Sequence, residues 1–278
     1  MTKSKSQECK NMKRNAFALL VLSVISLNNA NANANANANA NANELFTKKQ
    51  ELEIISVIKK YLSENPEYLI ELNKEAIAYQ QQEENKEAMS RILKNMGALI
   101  DKKNTPYLGG GDAKVAMVIF FDYQCVYCSK VVGEVNAVLR DDNEVGIFFK
   151  DFPVLGGRWD TSTKAAIRGI EIWKQKGIDD YMKYHYAIYS TKHTEGTLTQ
   201  NDINKASVNF NFDESDSREA RLVLESNMSL AERLKIQSTP TILIFPLKKT
   251  TSNSVIVLTG YHSKEDIKNA INNVKKKI

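Results

Sequence analysis

Two cysteines, Cys125 and Cys128, are the residues of this chain best suited to covalent chemistry. Two residues separate them, so on a helix they lie about one turn apart on the same face. If Cys125 caps the first turn, free backbone N–H groups and the helix dipole stabilise its thiolate, which becomes an attacking nucleophile. Cys128 then lies within bonding reach and can resolve a mixed disulfide. The pair predicts a catalytic site for thiol–disulfide exchange.

Two other uses of the cysteine pair fit the sequence less well. A disulfide across two residues closes a small loop and constrains little of the unfolded chain, so a purely structural bridge is a poor explanation. A zinc site needs about four ligands, and the histidines lie far away with no ligand-like spacing. They are His185, His193 and His262. Direct copper or zinc handling by the pair stays open as a minor alternative.

The segments around the pair predict how it is positioned. An apolar run, Val115 to Phe121, predicts a buried strand that ends just before the cysteines. A helical stripe follows, formed by Val131, Val135, Val138 and Leu139. Far along the chain, Pro240 precedes the apolar run Ile242 to Phe245, a position where a cis peptide bond is common. The alternative is an ordinary proline at a strand entry.

Three motifs in this order resemble the DsbA-like branch of the thioredoxin superfamily. They are Phe120-Phe121-Asp122-Tyr123-Gln124-Cys125-Val126-Tyr127-Cys128, then Asp151-Phe152-Pro153-Val154-Leu155-Gly156, then Thr239-Pro240-Thr241. The similarity covers residues 105–278. It implies an α/β thioredoxin-like fold with a helical insertion, and no bound cofactor beyond a redox-active disulfide between Cys125 and Cys128.

The resemblance also implies how a substrate is held. In that family the proline is cis and faces the disulfide, and the residue before it offers backbone groups to an extended substrate. By resemblance, Thr239 and Pro240 take these substrate-binding roles. Main-chain pairing of this kind holds an unfolded client without reading its sequence.

The chain departs from many DsbA-like relatives beside the cysteines. Ile119 stands where they carry a buried acid, and Val126 replaces a proline. Asp122 is a candidate for the missing proton shuttle, but an Asp at a strand end is more often a turn cap. Tyr127 occupies the position of a histidine in strongly oxidising relatives. We therefore expect Val126 and Tyr127 to tune the site toward a milder oxidant, with the pKa of Cys125 above the very low values of that group.

The first 43 residues have the layout of an export signal. A basic segment, residues 10–14, precedes an apolar run of twelve residues, Ala16 to Leu27, and Ala-Asn-Ala sequences then offer small residues for cleavage. The run is shorter than the roughly 20 residues of a membrane span, which leaves a retained anchor as the alternative. Asn-Ala dipeptides from Asn29 to Ala42 predict a flexible leader. We expect a periplasmic or secreted protein that loses Cys9 on cleavage.

Composition limits the remaining classes. With 278 residues and 42% hydrophobic content, the chain can bury a real core in one or two domains and is not a disordered protein. The formal net charge of +5 falls to +1 without residues 1–43, which contain five basic residues and one acidic residue. This balance does not suggest nucleic-acid binding.

Residues 44–103 predict a helical arm. Apolar residues fall on one face of a first helix, which should end at Asn65-Pro66. They are Leu52, Ile55, Ile58 and Leu62. A second helix, Pro66 to Met96, is polar in its middle and too long for one compact domain. Related DsbA-like proteins oligomerise through such an extension, so we expect a dimerisation or trimerisation arm; the alternative is a hairpin folded onto its own catalytic domain.

Residues 104–278 are assigned to the DsbA-like thioredoxin domain. Asn104 to Asp112 is a linker or turn, and helical stripes at about 158–234 form the insertion. Strands over Thr241 to Phe245 and Val255 to Leu258 precede a last helix, opened by a capping box at Ser263. His185 and the tyrosines of the insertion are expected to be packing residues.

The sequence therefore predicts a periplasmic oxidoreductase that forms or isomerises disulfides in exported proteins through Cys125 and Cys128. The implied partners are unfolded or misoxidised exported proteins and a membrane or periplasmic redox protein, with a homo-oligomer likewise expected. The rival hypothesis is a periplasmic holding chaperone or envelope interaction protein in which redox activity is secondary.

Overall fold

A computed structural model describes residues 46–210 and 217–278. The predicted signal peptide, the Asn-Ala leader and Cys9 lie outside these described residues. The chain separates into two compact units, whose boundary falls between Asn73 and Lys74. Among the described helices, none is both long enough and apolar enough to cross a membrane.

The first unit contains helix α1, Lys48–Glu64, which ends where the sequence predicts but begins four residues after Glu44, the expected start of the arm. Thr47 opens it with a capping box. At the other end, the backbone N–H and the side-chain amide of Asn65 both donate to the carbonyl of Tyr61, and Pro66 begins the next helix. No residue of α1 is buried, although its apolar side chains form a stripe.

Helix α2, Pro66–Lys94, is one continuous helix of 29 residues. At 1.5 Å per residue its length is about 44 Å. From Lys74 onward it belongs to the second unit, where Ile92 joins Leu99 of the short helix α3, Met96–Leu99, in a buried apolar cluster. The second unit therefore begins well before residue 104, the boundary expected from the linker composition.

A five-stranded sheet forms the centre of the second unit, in the order β1-β3-β2-β4-β5. The strands are β1 Tyr107–Leu108, β2 Val115–Phe121, β3 Val145–Asp151, β4 Thr241–Pro246 and β5 Ile256–Thr259. The β2–β3 pair is parallel and the other three pairs are antiparallel. This topology confirms the thioredoxin-like fold, and β2 has the bounds that the sequence predicts.

Both faces of the sheet are covered, which explains why β2 is apolar at every position. Met117 and Ile119 point into a core shared with helices α4, Val126–Asp141, and α9, Lys264–Lys275. Ala116, Val118 and Phe120 point the other way, toward Ile92, Leu99 and helix α8, Arg218–Leu234. Ser263 caps α9 with a capping box, as predicted.

The helical insertion is present where the sequence predicts it. It consists of α5 Asp160–Lys176, α6 Ile178–Ser190, α7 Gln200–Ser207 and α8. His185 is buried among aromatic rings that include Tyr181 and Tyr189, and the hydroxyl of Tyr123 lies 3.1 Å from its Nδ1. The prediction that His185 is a packing residue with a satisfied ring is confirmed.

The segment Asn104 to Asp112 is more than the predicted linker. Tyr107 and Leu108 form β1 by antiparallel pairing with β3. A side chain at Gly146 would meet the Tyr107 hydroxyl, since a Cβ there would lie 2.5 Å from it, so this glycine allows the close packing. The buried Lys150 amine also donates to the carbonyl of Ala98 and to the Thr105 hydroxyl, at 2.9 and 2.5 Å. These contacts involve distant residues, which turn composition does not reveal.

Candidate thiol-exchange site

The turn between β2 and α4 places Cys125 at the start of a helix. Cys125 is the N-cap residue of α4, with extended backbone angles (φ −79°, ψ 120°), and its N–H donates to the carbonyl of Asp122 at 3.1 Å. The first N–H groups of a helix have no partner within it, and those of Tyr127 and Cys128 help to lower the pKa of Cys125. This is the geometry that the cysteine spacing predicts.

Asp122 holds this turn in place. Its buried carboxylate accepts hydrogen bonds from the N–H of Gln124 (2.8 Å), the N–H of Leu155 (2.9 Å) and the hydroxyl of Ser162 (2.7 Å). Burial raises the pKa of Asp122, while these three donors act in the opposite direction. The carboxylate therefore serves as the turn cap, the more common of the two roles considered for it, and links β2 to the insertion.

Gln124 is a functional neighbour that the sequence did not single out. It is fully buried, and its side-chain amide donates to the Thr161 hydroxyl at 2.7 Å. Its backbone carbonyl accepts from the N–H of Glu195 (2.8 Å), and its side-chain oxygen accepts from the N–H of Gly196 (2.9 Å). Gln124 thus connects the active-site turn to two parts of the insertion, the start of α5 and the loop that follows α6.

The pKa values of the two cysteines are shifted in opposite directions. Both are free thiols and buried. A hydrogen bond from Cys128 is the largest effect that lowers the pKa of Cys125, to about 6, with further help from the Thr239 side chain and from the N–H groups of Cys128 and Tyr127. Burial raises the pKa of Cys128 well above the ordinary thiol value. Cys125 is therefore the thiol that ionises more readily, and Cys128 the one that burial keeps protonated.

The predicted cis proline lies against this pair. The Thr239-Pro240 peptide bond is cis. The Cys125 thiol donates to the carbonyl oxygen of Thr239, with 3.2 Å between sulfur and oxygen. The structure thus brings together Cys125, Cys128, Thr239 and Pro240, which are far apart in the sequence.

The two residues between the cysteines differ in exposure. Val126 is half-buried, whereas the Tyr127 side chain is 52% exposed. The Lys130 amine lies 5.4 Å from the centre of the Tyr127 ring, within range of a cation–π contact. Tyr127 therefore presents an aromatic surface beside the thiols.

Asp151 is an unexpected feature behind the site. It is the last residue of β3, pairs in register with Phe121 and is completely buried. Within the described part of the chain, neither of its carboxylate oxygens has a hydrogen-bond partner. Burial raises the pKa of Asp151 well above its ordinary value, which favours the protonated, neutral carboxyl group. The sequence identified Asp151 only as part of a motif, without a role.

The sheet order, the cysteine pair at the start of α4 and the cis proline facing it together define a thioredoxin-like protein with a dithiol site. Comparison with family models gives a more specific assignment. The model of the Thioredoxin_4 family, described as Thioredoxin, matches residues 101–254, more than half of the chain, and the chain belongs to this DsbA-like family. A comparison with curated proteins gives no match.

Several solved structures share this architecture. BcfH of Salmonella enterica Typhimurium is 26% identical, with a TM-score of 0.71, over 82% of this chain and 96% of BcfH. A linker-deletion variant of Proteus mirabilis ScsC is 21% identical, with a TM-score of 0.60, over 85% of this chain and 100% of that one. The thiol-disulfide exchange protein α-DsbA2 from Wolbachia pipientis is 20% identical, with a TM-score of 0.56, over 69% and 97%. At these identities, the last two show the fold alone.

Proposed function

We propose that this protein is a periplasmic or secreted oxidoreductase that forms or isomerises disulfide bonds in exported proteins. The observation that carries the proposal is the pairing of a Cys125 thiol of lowered pKa with a buried Cys128 thiol of raised pKa, beside the Thr239 carbonyl. Membership of the DsbA-like Thioredoxin_4 family supports thiol–disulfide exchange as the reaction. The export signal predicted from the sequence supports the location.

In the oxidising direction, a client thiolate attacks Cys125 in the Cys125–Cys128 disulfide. The client–Cys125 bond forms, and Cys128 leaves with the electron pair and takes a proton. A second client thiolate then attacks the client sulfur of the mixed disulfide and releases Cys125 as a thiolate. The client loses two electrons and the pair becomes a dithiol, which a membrane or periplasmic redox partner must reoxidise. The lowered pKa of Cys125 favours its departure.

In the isomerising direction, the Cys125 thiolate attacks a client disulfide and is displaced when the client forms a different one. A client that rearranges undergoes no net electron transfer. If it fails to rearrange, Cys128 attacks the Cys125 sulfur and releases the client in reduced form, and the resulting Cys125–Cys128 disulfide must be reduced by a redox partner before the next cycle. In both directions, the backbone of Thr239 is the proposed anchor for an extended client segment. Val126 and Tyr127 are the proposed tuning residues.

The α1 helix supports a homo-oligomer. Its stripe of apolar side chains is exposed, with Leu52 at 65% and Ile58 at 51%. Exposed stripes of this kind are stable in water when another helix covers them, and a second copy of the chain provides an identical stripe. Relatives that reshuffle disulfides use paired catalytic domains, so the arm favours isomerisation, whereas the DsbA-like topology favours oxidation.

Recovery of ribonuclease activity from a scrambled-disulfide substrate tests the function. With mature protein and a catalytic amount of reductant, recovery that disappears in Cys125→Ser establishes an isomerase. Failure to recover scrambled ribonuclease, together with normal oxidation of the fully reduced enzyme, establishes an oxidase. Inactivity in both assays rejects the proposal and favours the holding-chaperone alternative, for which the exposed α1 stripe is the supporting observation.

A further inference from the structure

The loop between α6 and α7 bends back onto the start of the active-site helix. Lys192 and Glu195 have left-handed backbone angles (φ 59° and 51°), which are unusual for residues other than glycine, and Gly196 has a φ of 93°. The two N–H groups at Glu195 and Gly196 both donate to Gln124, the residue before Cys125. These hydrogen bonds to Gln124 stabilise the unusual backbone angles and hold the loop against the active-site turn.

This bend delivers a carboxylate to the first turn of α4. The N–H of Val126 donates to Oε1 of Glu195 at 3.3 Å. The N–H groups of Tyr127 and Cys128 contribute instead to the lowered pKa of Cys125. The N–H groups at the start of α4 thus interact with two different acceptors, Glu195 and Cys125. The positive end of the helix dipole favours negative charge on each of them.

We propose that Glu195 is a positioning residue of the thiol-exchange site, because its carboxylate occupies the Val126 N–H and holds a negative charge at the first turn of the helix that Cys125 caps. The charge opposes the thiolate, so the helix start stabilises the dithiol form less than it would alone. This inference rests on the proposed function and extends it. It means that the helical insertion weakens the oxidising strength of the pair, through a residue 70 positions from Cys125.

Other polar and charged groups near the thiols have hydrogen-bond, ion-pair or cation–π partners of their own. Asp122, in the turn, is capped by three donors, and the carboxylate of Glu195 contributes to the raised pKa of Asp122. Tyr189 of α6 is buried, and its hydroxyl donates to the Asp122 carbonyl. On α4, the Lys130 amine is near the Tyr127 ring, and in the loop itself His193 pairs with Asp202 at 2.9 Å.

The test measures the reactivity of Cys125 without any client. Reduced wild-type protein, Glu195→Gln and Glu195→Ala are alkylated with iodoacetamide across pH, which gives the pKa of Cys125. Glu195→Gln retains an acceptor for Val126 but removes the charge, so we expect its Cys125 pKa to fall by about 0.3–0.7, the size of a charge effect at a helix terminus. Glu195→Ala also frees the Val126 N–H and should lower the pKa at least as much.

Equilibration with glutathione gives an independent readout. The dithiol passes two electrons and two protons to one glutathione disulfide and yields two glutathione molecules. A more stable thiolate favours the dithiol, so Glu195→Gln should shift this equilibrium toward the reduced protein about two- to fivefold. Because Glu195 is exposed, the shift should shrink in 1 M salt, where the Debye length is about 3 Å.

Glu225→Gln is the matched control, because it removes the same charge from an exposed position on α8, which contributes no hydrogen bond to Cys125. Its pKa profile and glutathione equilibrium should equal those of the wild type. An unchanged Cys125 pKa in both Glu195 variants overturns the inference, even if the folded protein becomes less stable. Absence of exchange with glutathione in the wild type instead rejects the proposed function, and the alkylation profile still decides the role of Glu195.

Discussion

The acidity of Cys125 is the residue-scale property on which the proposed reaction depends. Its pKa is lowered to about 6, chiefly by a hydrogen bond from Cys128. We expect the rate of alkylation of the reduced protein to rise with a midpoint near pH 6. In Cys128→Ala the midpoint should rise by about 1–2 pH units, because a hydrogen bond to a charged acceptor is lost.

Iodoacetamide alkylation followed by mass spectrometry checks this prediction, and Cys125→Ser is the control that removes the signal. A wild-type midpoint near 3.5, the value typical of the strongly oxidising DsbA, would contradict it. It would equally contradict the expectation that Val126 and Tyr127 make this protein a milder oxidant.

Asp151 gives a second residue-scale prediction, on stability. Its pKa is raised in the folded protein, so above about pH 4 the unfolded chain has lost this proton while the folded chain retains it. The folded state then binds more protons, and its stability falls as the pH rises. In Asp151→Asn this contribution disappears, so the decline in the free energy of unfolding from pH 4 to pH 7 should be smaller.

Urea unfolding at a series of pH values measures this difference. Asp112→Asn, at an exposed loop position, is the control and should retain the pH dependence of the wild type. Equal slopes in the wild type and Asp151→Asn would show that Asp151 is not held neutral by burial.

At the scale of elements, the β2–α4 turn joins the sheet to the insertion through one side chain. Asp122→Ala removes three hydrogen bonds and leaves their donors at Gln124, Leu155 and Ser162 without this acceptor. An unpaired buried donor costs about 1–3 kcal/mol, so we expect the free energy of unfolding to fall by at least that amount. Ser162→Ala removes only one of the three bonds and should have a smaller effect, measurable by the same urea titration.

The elements also show what the sequence can and cannot predict. β2, the end of α1 and the capping box of α9 follow from local patterns, and the structure confirms them. β1 was missed because two residues carry no periodicity and the packing of Tyr107 depends on the distant Gly146. The cysteine pair and the cis proline were found by motif. Glu195, by contrast, reaches the site only because residues of its loop have left-handed backbone angles, which no local sequence pattern predicts.

At the scale of the whole molecule, the exposed stripe of α1 predicts that isomerisation depends on assembly, whereas oxidation does not. Ile55→Asp and Ile58→Asp place a charge within the stripe, where a covering helix must bury it without a partner. We expect each variant to have a lower mass by light scattering than the wild type. Because both side chains are exposed in a single chain, the catalytic unit should retain its stability.

Paired catalytic domains are what isomerisation is expected to need, so these variants should lose recovery of scrambled ribonuclease while still oxidising reduced ribonuclease. Lys60→Asp is the matched control, since at 100° per residue it lies on the opposite, polar side of α1. It should retain the wild-type mass and both activities. A monomeric wild-type protein would reject the arm hypothesis, and variants that lose both activities would show that oxidation also depends on assembly.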